Sequence, residues 1–140
     1  MIGVVVAAHG NLARDLVSAA EEIVGKIEKL AVVSQLNKDK HEDIERNLTE
    51  AIESVDSPDG VLVLVDIFGG SPANIGMSIL KKKKIKIVTG VNLPMLMEFA
   101  VHRNEKDLKK LALQITRTGR RSVFTAESYL KKRKIEIIDV

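Results

Sequence analysis

The chain begins with the apolar run Ile2-Gly3-Val4-Val5-Val6-Ala7-Ala8, which is closed by His9 and Gly10. A second apolar run, Gly60 to Val65, ends in the same way at Asp66. Neither run alternates with polar residues, which is typical of parallel strands that helices cover on both faces. Parallel strands present their carboxyl ends at one edge of a sheet, where open α/β sheets bind their ligands, so we expect His9 and Asp66 to lie close together.

Strand-like and helix-like patterns alternate along the rest of the chain. From Leu12 to Val24 the apolar positions follow helical spacing, with Asn11 as the predicted N-cap and Gly25 as the stop. The other predicted elements are a strand at Leu30–Val33, a helix that starts at a capping box of Asp39 and Glu42, the strand at 61–65, a helix from Pro72 to about Lys82, a strand at Ile85–Val88, a helix opened by Pro94 and a helix that stops at Gly119. This order predicts the α/β class, with a doubly wound, mainly parallel sheet of about four strands and helices on both faces.

The carboxy-terminal tail, residues 121–140, is predicted separately from this core. It contains two candidate strands, Arg121–Thr125 and Lys134–Val140, with room for a short helix between them. At 140 residues the chain has the length of one domain. We therefore expect a single domain over 1–140, with its core in about 1–120.

Composition excludes several classes of protein. Cysteine is absent, which excludes disulfides, zinc-thiolate sites and cysteine nucleophiles. The apolar runs are far shorter than the ~20 residues of a membrane-spanning helix, and Met1 leads directly into a strand without the basic segment of a signal peptide, so a cytoplasmic location is expected. The net charge of +3 comes mainly from lysines clustered at 81–86 and 131–134, and aromatic residues make up only 3% of the chain. We interpret these lysines as solvated helix ends rather than a nucleic-acid surface.

His9 is the strongest candidate for a reacting group. An imidazole is a competent nucleophile toward phosphorus, and the neighbouring Gly10 lets a ligand approach the backbone. Asp66 is the candidate partner, because a carboxylate that accepts a hydrogen bond from one ring nitrogen leaves the other nitrogen free to react. The alternatives are a loop histidine without a chemical role and an aspartate that only caps its loop. His41 and His102 lack this setting and are interpreted as surface residues.

The segment Gly69-Gly70-Ser71-Pro72-Ala73-Asn74 has the pattern of a helix start, with two glycines for a tight turn and Ser71 as the N-cap. Free backbone N–H groups and the positive end of the helix dipole favour an anion at such a start, so Gly69, Gly70 and Ser71 are predicted to bind phosphate. The segment matches neither the Walker nor the Rossmann motif. Beyond Asp66 the sequence shows no evident set of metal ligands, and we expect no metal and no cofactor. This combination favours transfer from an activated phosphoryl donor over transfer from ATP.

Three motifs together resemble a known family. They are Ala8-His9-Gly10, then Asp66-Ile67-Phe68-Gly69-Gly70-Ser71-Pro72-Ala73-Asn74, then Gly90-Val91-Asn92-Leu93-Pro94-Met95-Leu96. In order and spacing, over residues 1 to about 120, the chain resembles the mannose-family enzyme IIA of the bacterial phosphoenolpyruvate-dependent sugar phosphotransferase system. The resemblance implies a phosphoryl carrier that accepts the group from the phosphocarrier protein HPr and passes it to a IIB component, whose membrane partners IIC and IID take up the sugar.

Carried over by position, the resemblance implies that His9 is phosphorylated, that Asp66 is its hydrogen-bonded partner and that Gly69, Gly70 and Ser71 surround the phosphoryl group. It also implies a homodimer in which a carboxy-terminal strand, best matched by 121–125, adds antiparallel to the sheet of the other subunit. Such an exchange covers a sheet edge that would otherwise be open.

Two alternatives to the carrier function are kept. One is the phosphotransferase subunit of dihydroxyacetone kinase, which shares the histidine after the first strand but lacks the Gly-Gly-Ser-Pro pattern. The other is a module that senses an anionic metabolite without chemistry.

Overall fold

A computed structural model of the chain describes residues 1–36, 38–67 and 84–138, with backbone alone over the last six of these. Four strands and five helices are found in these residues. The strands are β1 (Gly3–His9), β2 (Leu30–Gln35), β3 (Val61–Val65) and β4 (Ile85–Thr89); the helices are α1 (Leu12–Val24), α2 (His41–Val55), α3 (Leu93–Val101), α4 (Leu108–Arg121) and α5 (Ala126–Ile138). The helix predicted from Pro72 to about Lys82 lies outside the described residues.

The four strands form one sheet in the order β2-β1-β3-β4, and every neighbouring pair is parallel. β1 and β3 occupy the centre, and all five residues of β3 are buried. The predicted α/β fold with a parallel sheet of about four strands is thereby confirmed. Since all four strands run in the same direction, their carboxyl ends meet at one edge of the sheet, which we call the carboxyl edge.

Two apolar clusters cover the two faces of the sheet. Alternate residues of β1 divide between them: Val4, Val6 and Ala8 pack with α1, α3 and α4, whereas Val5 and Ala7 pack with α2. This division is the period-2 alternation of a strand, applied to a strand that is apolar on both sides. The prediction of helices on both faces is therefore confirmed. In the part of the chain that the structure describes, no helix is both long enough and apolar enough to cross a membrane.

The predicted start of the second helix is wrong by one residue. The Asp39 carboxylate accepts the Leu36 N–H at 2.8 Å, within the turn that follows β2. The capping contact is instead made by Asp43, whose carboxylate accepts the Lys40 N–H at 3.2 Å. Because the Asp39 side chain is bonded within the turn, it does not cap the helix, which begins at His41.

The two strands predicted for the tail, at 121–125 and 134–140, are wrong for the described residues of the single chain. Arg121 is the last residue of α4, and the Ser122 N–H closes that helix on the Thr118 carbonyl at 3.1 Å. From residue 126 the chain is helical, and α5 includes most of the candidate strand at 134–140. The Thr125 hydroxyl accepts the Ser128 N–H at 3.1 Å and so caps α5. The Lys, Arg and Glu residues that follow are good helix formers, which outweighs the short apolar pattern near the end of the chain.

The structure predicts a large loss of stability for Gly3→Ala. A Cβ at Gly3 would lie 2.1 Å from the Val55 carbonyl oxygen, so β1 and the end of α2 would have to separate. We expect unfolding to become easier by about 3 kcal/mol, the upper end of the usual cost of overpacking a core. Thermal or urea unfolding measures this difference.

Gly119→Ala is the matched control. Its added methyl would meet the Met95 Sδ at 2.7 Å, which is near the movable end of a side chain rather than backbone. The substitution of alanine for glycine also stabilises α4 by up to about 1 kcal/mol through its higher helix propensity. An equal loss of stability in the two variants would contradict the close approach at Gly3.

Candidate functional site

His9 is the last residue of β1 and lies at the carboxyl edge of the sheet. The next residue, Gly10, has a φ of +58°, a conformation that residues with a Cβ rarely adopt, and it turns the chain away from the sheet. The Gly10 N–H donates to the Gln35 carbonyl at 2.8 Å, which anchors this turn on β2. Although the backbone of β1 is buried, the His9 side chain is 45% exposed and accessible to a reaction partner.

Asp66 follows β3 directly and binds His9 through a single carboxylate oxygen. Its Oδ2 accepts the backbone N–H of His9 at 3.0 Å and lies 2.9 Å from Nδ1 of the His9 ring. The other oxygen, Oδ1, accepts the N–H of Ile67 at 2.9 Å. The structure thus brings together the two residues that the sequence singled out, and the contact is fixed by backbone as well as by side chain.

The environment of Asp66 favours its charged form. Its side chain is only 11% exposed, and burial by itself raises the pKa of a carboxyl group. The hydrogen bonds from the His9 backbone, the His9 ring and the Ile67 backbone oppose burial, and the net effect lowers the pKa of Asp66 below its ordinary value. An ionised carboxylate can only accept, so the contact assigns the proton of the neutral His9 ring to Nδ1 and the lone pair to Nε2.

The third motif of the family resemblance lies at the same edge. The Val91 N–H donates to the Val65 carbonyl at 3.0 Å, which joins the loop after β4 to the end of β3. Asn92 then caps α3, since its side chain accepts the Met95 N–H at 3.1 Å. The ends of β1, β3 and β4 therefore lie beside one another at this edge.

The other predicted site residues have different outcomes. Gly69, Gly70 and Ser71 lie outside the described residues, so the phosphate-binding role stays a prediction. His41 is the exposed first residue of α2. His102 is the C-cap that follows α3, and its Nε2 lies 2.9 Å from a carboxylate oxygen of Glu98 one helical turn earlier.

One neighbour of His9 was missed by the sequence analysis. Gln35 is paired with His9 in the register of β1 and β2, but the predicted strand ended at Val33. Ser34 and Gln35 are both polar, so the apolar pattern carried no signal that the strand continues to Gln35.

The chain matches known proteins over most of its length. A family model described as the PTS system fructose IIA component, EIIA-man, matches residues 3–116. The chain is 29% identical over 135 residues to the PTS system fructose-specific EIIA component of Bacillus subtilis (strain 168), and the match covers 96% of this chain and 92% of that protein. It is 31% identical over 123 residues to the PTS system mannose-specific EIIAB component of Escherichia coli (strain K12), and that match covers 84% of this chain. The match spans only 38% of the length of the Escherichia coli protein.

A solved structure has the same fold. The mannose/sorbose specific IIA subunit of the phosphotransferase system from Enterococcus faecalis superposes with a TM-score of 0.81 at 28% sequence identity, covering 89% of this chain and 93% of that one. The matched segment of the family model contains His9, Asp66 and all four strands. The chain belongs to the EIIA-man family of IIA components of the phosphotransferase system.

Proposed function

We propose that the protein is a phosphoryl carrier of the sugar phosphotransferase system, which accepts a phosphoryl group on His9 from phosphorylated HPr and passes it to a IIB component. It is then a protein-histidine phosphotransferase that acts in the cytoplasm and serves sugar uptake through IIB and the membrane subunits. The observation that carries the proposal is the pair of contacts from Asp66 to His9, at 2.9 Å to Nδ1 and 3.0 Å to the backbone N–H. Membership of the family supports the choice of partners.

The contacts support a definite course for the transfer. With Nδ1 held by Asp66, the lone pair of His9 Nε2 attacks the phosphorus of the donor phosphohistidine. The new Nε2–P bond forms as the donor's N–P bond breaks, and the electron pair of that bond returns to the donor nitrogen. The proton on Nδ1 stays in its hydrogen bond to Asp66, whose negative charge stabilises the positive charge that develops on the ring.

Labelled phosphoenolpyruvate tests the proposal when it is supplied with the general proteins of the system. In the presence of enzyme I and HPr we expect stable label on a histidine of this chain, and its loss to an added IIB component. Label that moves to a dihydroxyacetone kinase and not to IIB would favour that alternative. If the chain takes no label, the proposal is wrong and an anion-sensing module is the better account.

We further propose a homodimer that covers the β4 edge of the sheet. β4 lies at the end of the strand order. An open groove of about 500 Å³ runs beside it, lined by residues that include Asn92, Met95, Arg120 and Val123. Val123 and Phe124 are 80% and 60% exposed in the segment 122–125 that joins α4 to α5. A strand edge that no other described strand covers, next to exposed apolar residues, favours an exchange of this segment between two subunits.

Two truncations test the exchange. A chain that ends after Ser122 keeps the closing hydrogen bonds of α4 but loses Val123 and Phe124, and we expect it to be monomeric at about 10 μM in sedimentation velocity, a range in which a stable dimer persists. A chain that ends after Thr125 loses only α5 and should remain dimeric. A monomeric full-length chain at that concentration, or a dimeric chain ending at Ser122, would contradict the exchange.

A further inference from the structure

Gln35 flanks His9 on the side opposite Asp66. In the register of the parallel pair β1 and β2, His9 lies directly beside Gln35, and neighbouring strands are about 4.8 Å apart. Ala7 and Val33, two positions earlier on each strand, both pack in the cluster that contains α2. Because side chains alternate along a strand, His9 and Gln35 are directed toward that same face of the sheet. Gln35, His9 and Asp66 thus follow one another along the carboxyl edge.

The side chain of Gln35 has an unpaired buried atom. Its Oε1 is shielded from solvent and has no hydrogen-bond partner among the residues that the structure describes. A buried acceptor without a donor has lost its hydrogen bonds to water and has no bond to replace them, which destabilises the protein. Native structures rarely leave such atoms unpaired. Its position beside the reactive histidine indicates that the carboxamide is arranged for a second state of the site.

We propose that Gln35 binds the phosphoryl group when His9 carries it, an inference that rests on the proposed carrier function. In the phosphorylated state the carboxamide turns about its terminal torsion, which is soft in glutamine. The turn exchanges the positions of Oε1 and the NH₂ group, so that the NH₂ group donates a hydrogen bond to a phosphoryl oxygen on His9 Nε2 and Oε1 reaches water. No covalent bond of Gln35 forms or breaks. The unpaired acceptor of the resting state is removed, so Gln35 stabilises the phosphorylated form relative to the free one.

The backbone of Gln35 has a separate structural task. Its carbonyl accepts the Gly10 N–H at 2.8 Å, and any residue at position 35 supplies that carbonyl. Substitution of the side chain therefore leaves the turn after His9 anchored. A change in phosphoryl binding can then be assigned to the carboxamide.

Gln35→Met is the main variant, because methionine is similar in volume and has no amide. The measurement is the equilibrium distribution of labelled phosphoryl groups between HPr and this chain. We expect the equilibrium to shift toward HPr by about tenfold or more, as for the loss of one hydrogen bond to a charged group. The midpoint of thermal unfolding of the free protein should be unchanged or higher, since an unpaired buried acceptor has been removed. Gln35→Glu should shift the equilibrium further toward HPr, because a carboxylate repels the phosphoryl group.

Gln114→Met is the matched control. Gln114 is a partly buried glutamine of α4 whose Nε2 donates to the Glu98 carboxylate at 3.1 Å. This change should leave the phosphoryl equilibrium as it is in the unmodified protein. The role of Gln35 would be overturned if Gln35→Met left the phosphoryl equilibrium unchanged, or if it markedly lowered the unfolding midpoint. Either result would leave the carrier function intact. A chain that takes no label before any substitution would overturn both.

Discussion

We expect His9→Ala to abolish the incorporation of label from phosphoenolpyruvate in the presence of enzyme I and HPr. The expected loss is complete, because the His9 imidazole is itself the proposed nucleophile. The His9 side chain is 45% exposed, so its removal leaves the apolar clusters untouched and the variant should fold. Scintillation counting of the isolated chain measures the effect, and circular dichroism checks the fold.

Two histidine variants and one chemical property serve as controls for this result. His41→Ala and His102→Ala should be labelled as fully as the unmodified chain, although the second loses its 2.9 Å contact with Glu98. The labelled group should be lost in acid and retained in alkali, as a phosphoramidate is, whereas a phosphoserine at Ser71 survives acid. Label that persists in His9→Ala would rule out the proposed mechanism.

Asp66→Asn should slow phosphoryl transfer by about 10²- to 10⁴-fold. The upper figure is the cost of the analogous change in a serine-protease triad. In this protein one carboxylate oxygen receives both the backbone N–H and the ring Nδ1 of His9. An amide that presents NH₂ there would face two donors, and one that presents oxygen there would turn its NH₂ toward the N–H of Ile67. In either orientation the ring loses the negative charge that stabilises it during transfer. Rapid-quench measurement of label transfer from HPr gives the rate.

Asp59→Asn is the matched control for this change. Asp59 also has a lowered pKa, chiefly through a hydrogen bond from the amino terminus, which lies 2.6 Å from its Oδ2. Its substitution removes a paired carboxylate at the opposite end of β3 from Asp66 and should leave the transfer rate unaltered. If Asp66→Asn transferred the phosphoryl group at the rate of the unmodified protein, Asp66 would have no role in transfer and would only cap its loop.

The centre of the fold was predictable because its signals are strong and local. The runs before His9 and Asp66 are apolar on both faces, which identifies central parallel strands, and the ends of such strands meet at one edge. The pairing of the two residues at 2.9 Å followed from that topology. What spacing alone could not give was the double contact of Oδ2, because it depends on where the pairing of β1 and β3 ends. The last pair is Ala7 with Val65, so the His9 N–H beyond it meets the Asp66 side chain.

The edges and the tail were less predictable for physical reasons. β2 is an edge strand, and its last residues Ser34 and Gln35 are polar, so the apolar pattern stopped short of the residue beside His9. In the tail, short apolar patterns fitted strands, but helix formers and the Thr125 cap favour α5. Whether this segment forms a strand or a helix depends on helix caps and on neighbouring strands to pair with, rather than on its apolar periodicity. Gly69, Gly70 and Ser71 lie outside the described residues, and their role stays a prediction.

In the proposed carrier, His9 binds the phosphoryl group through Nε2 while Asp66 holds Nδ1. Nuclear magnetic resonance of the chain with ¹⁵N-labelled histidine, recorded after phosphorylation by HPr, tests it directly. We expect coupling of ³¹P to a single ring nitrogen, Nε2 of His9, with Nδ1 protonated. Coupling to Nδ1 of His9, or to a nitrogen of His41 or His102, would contradict it.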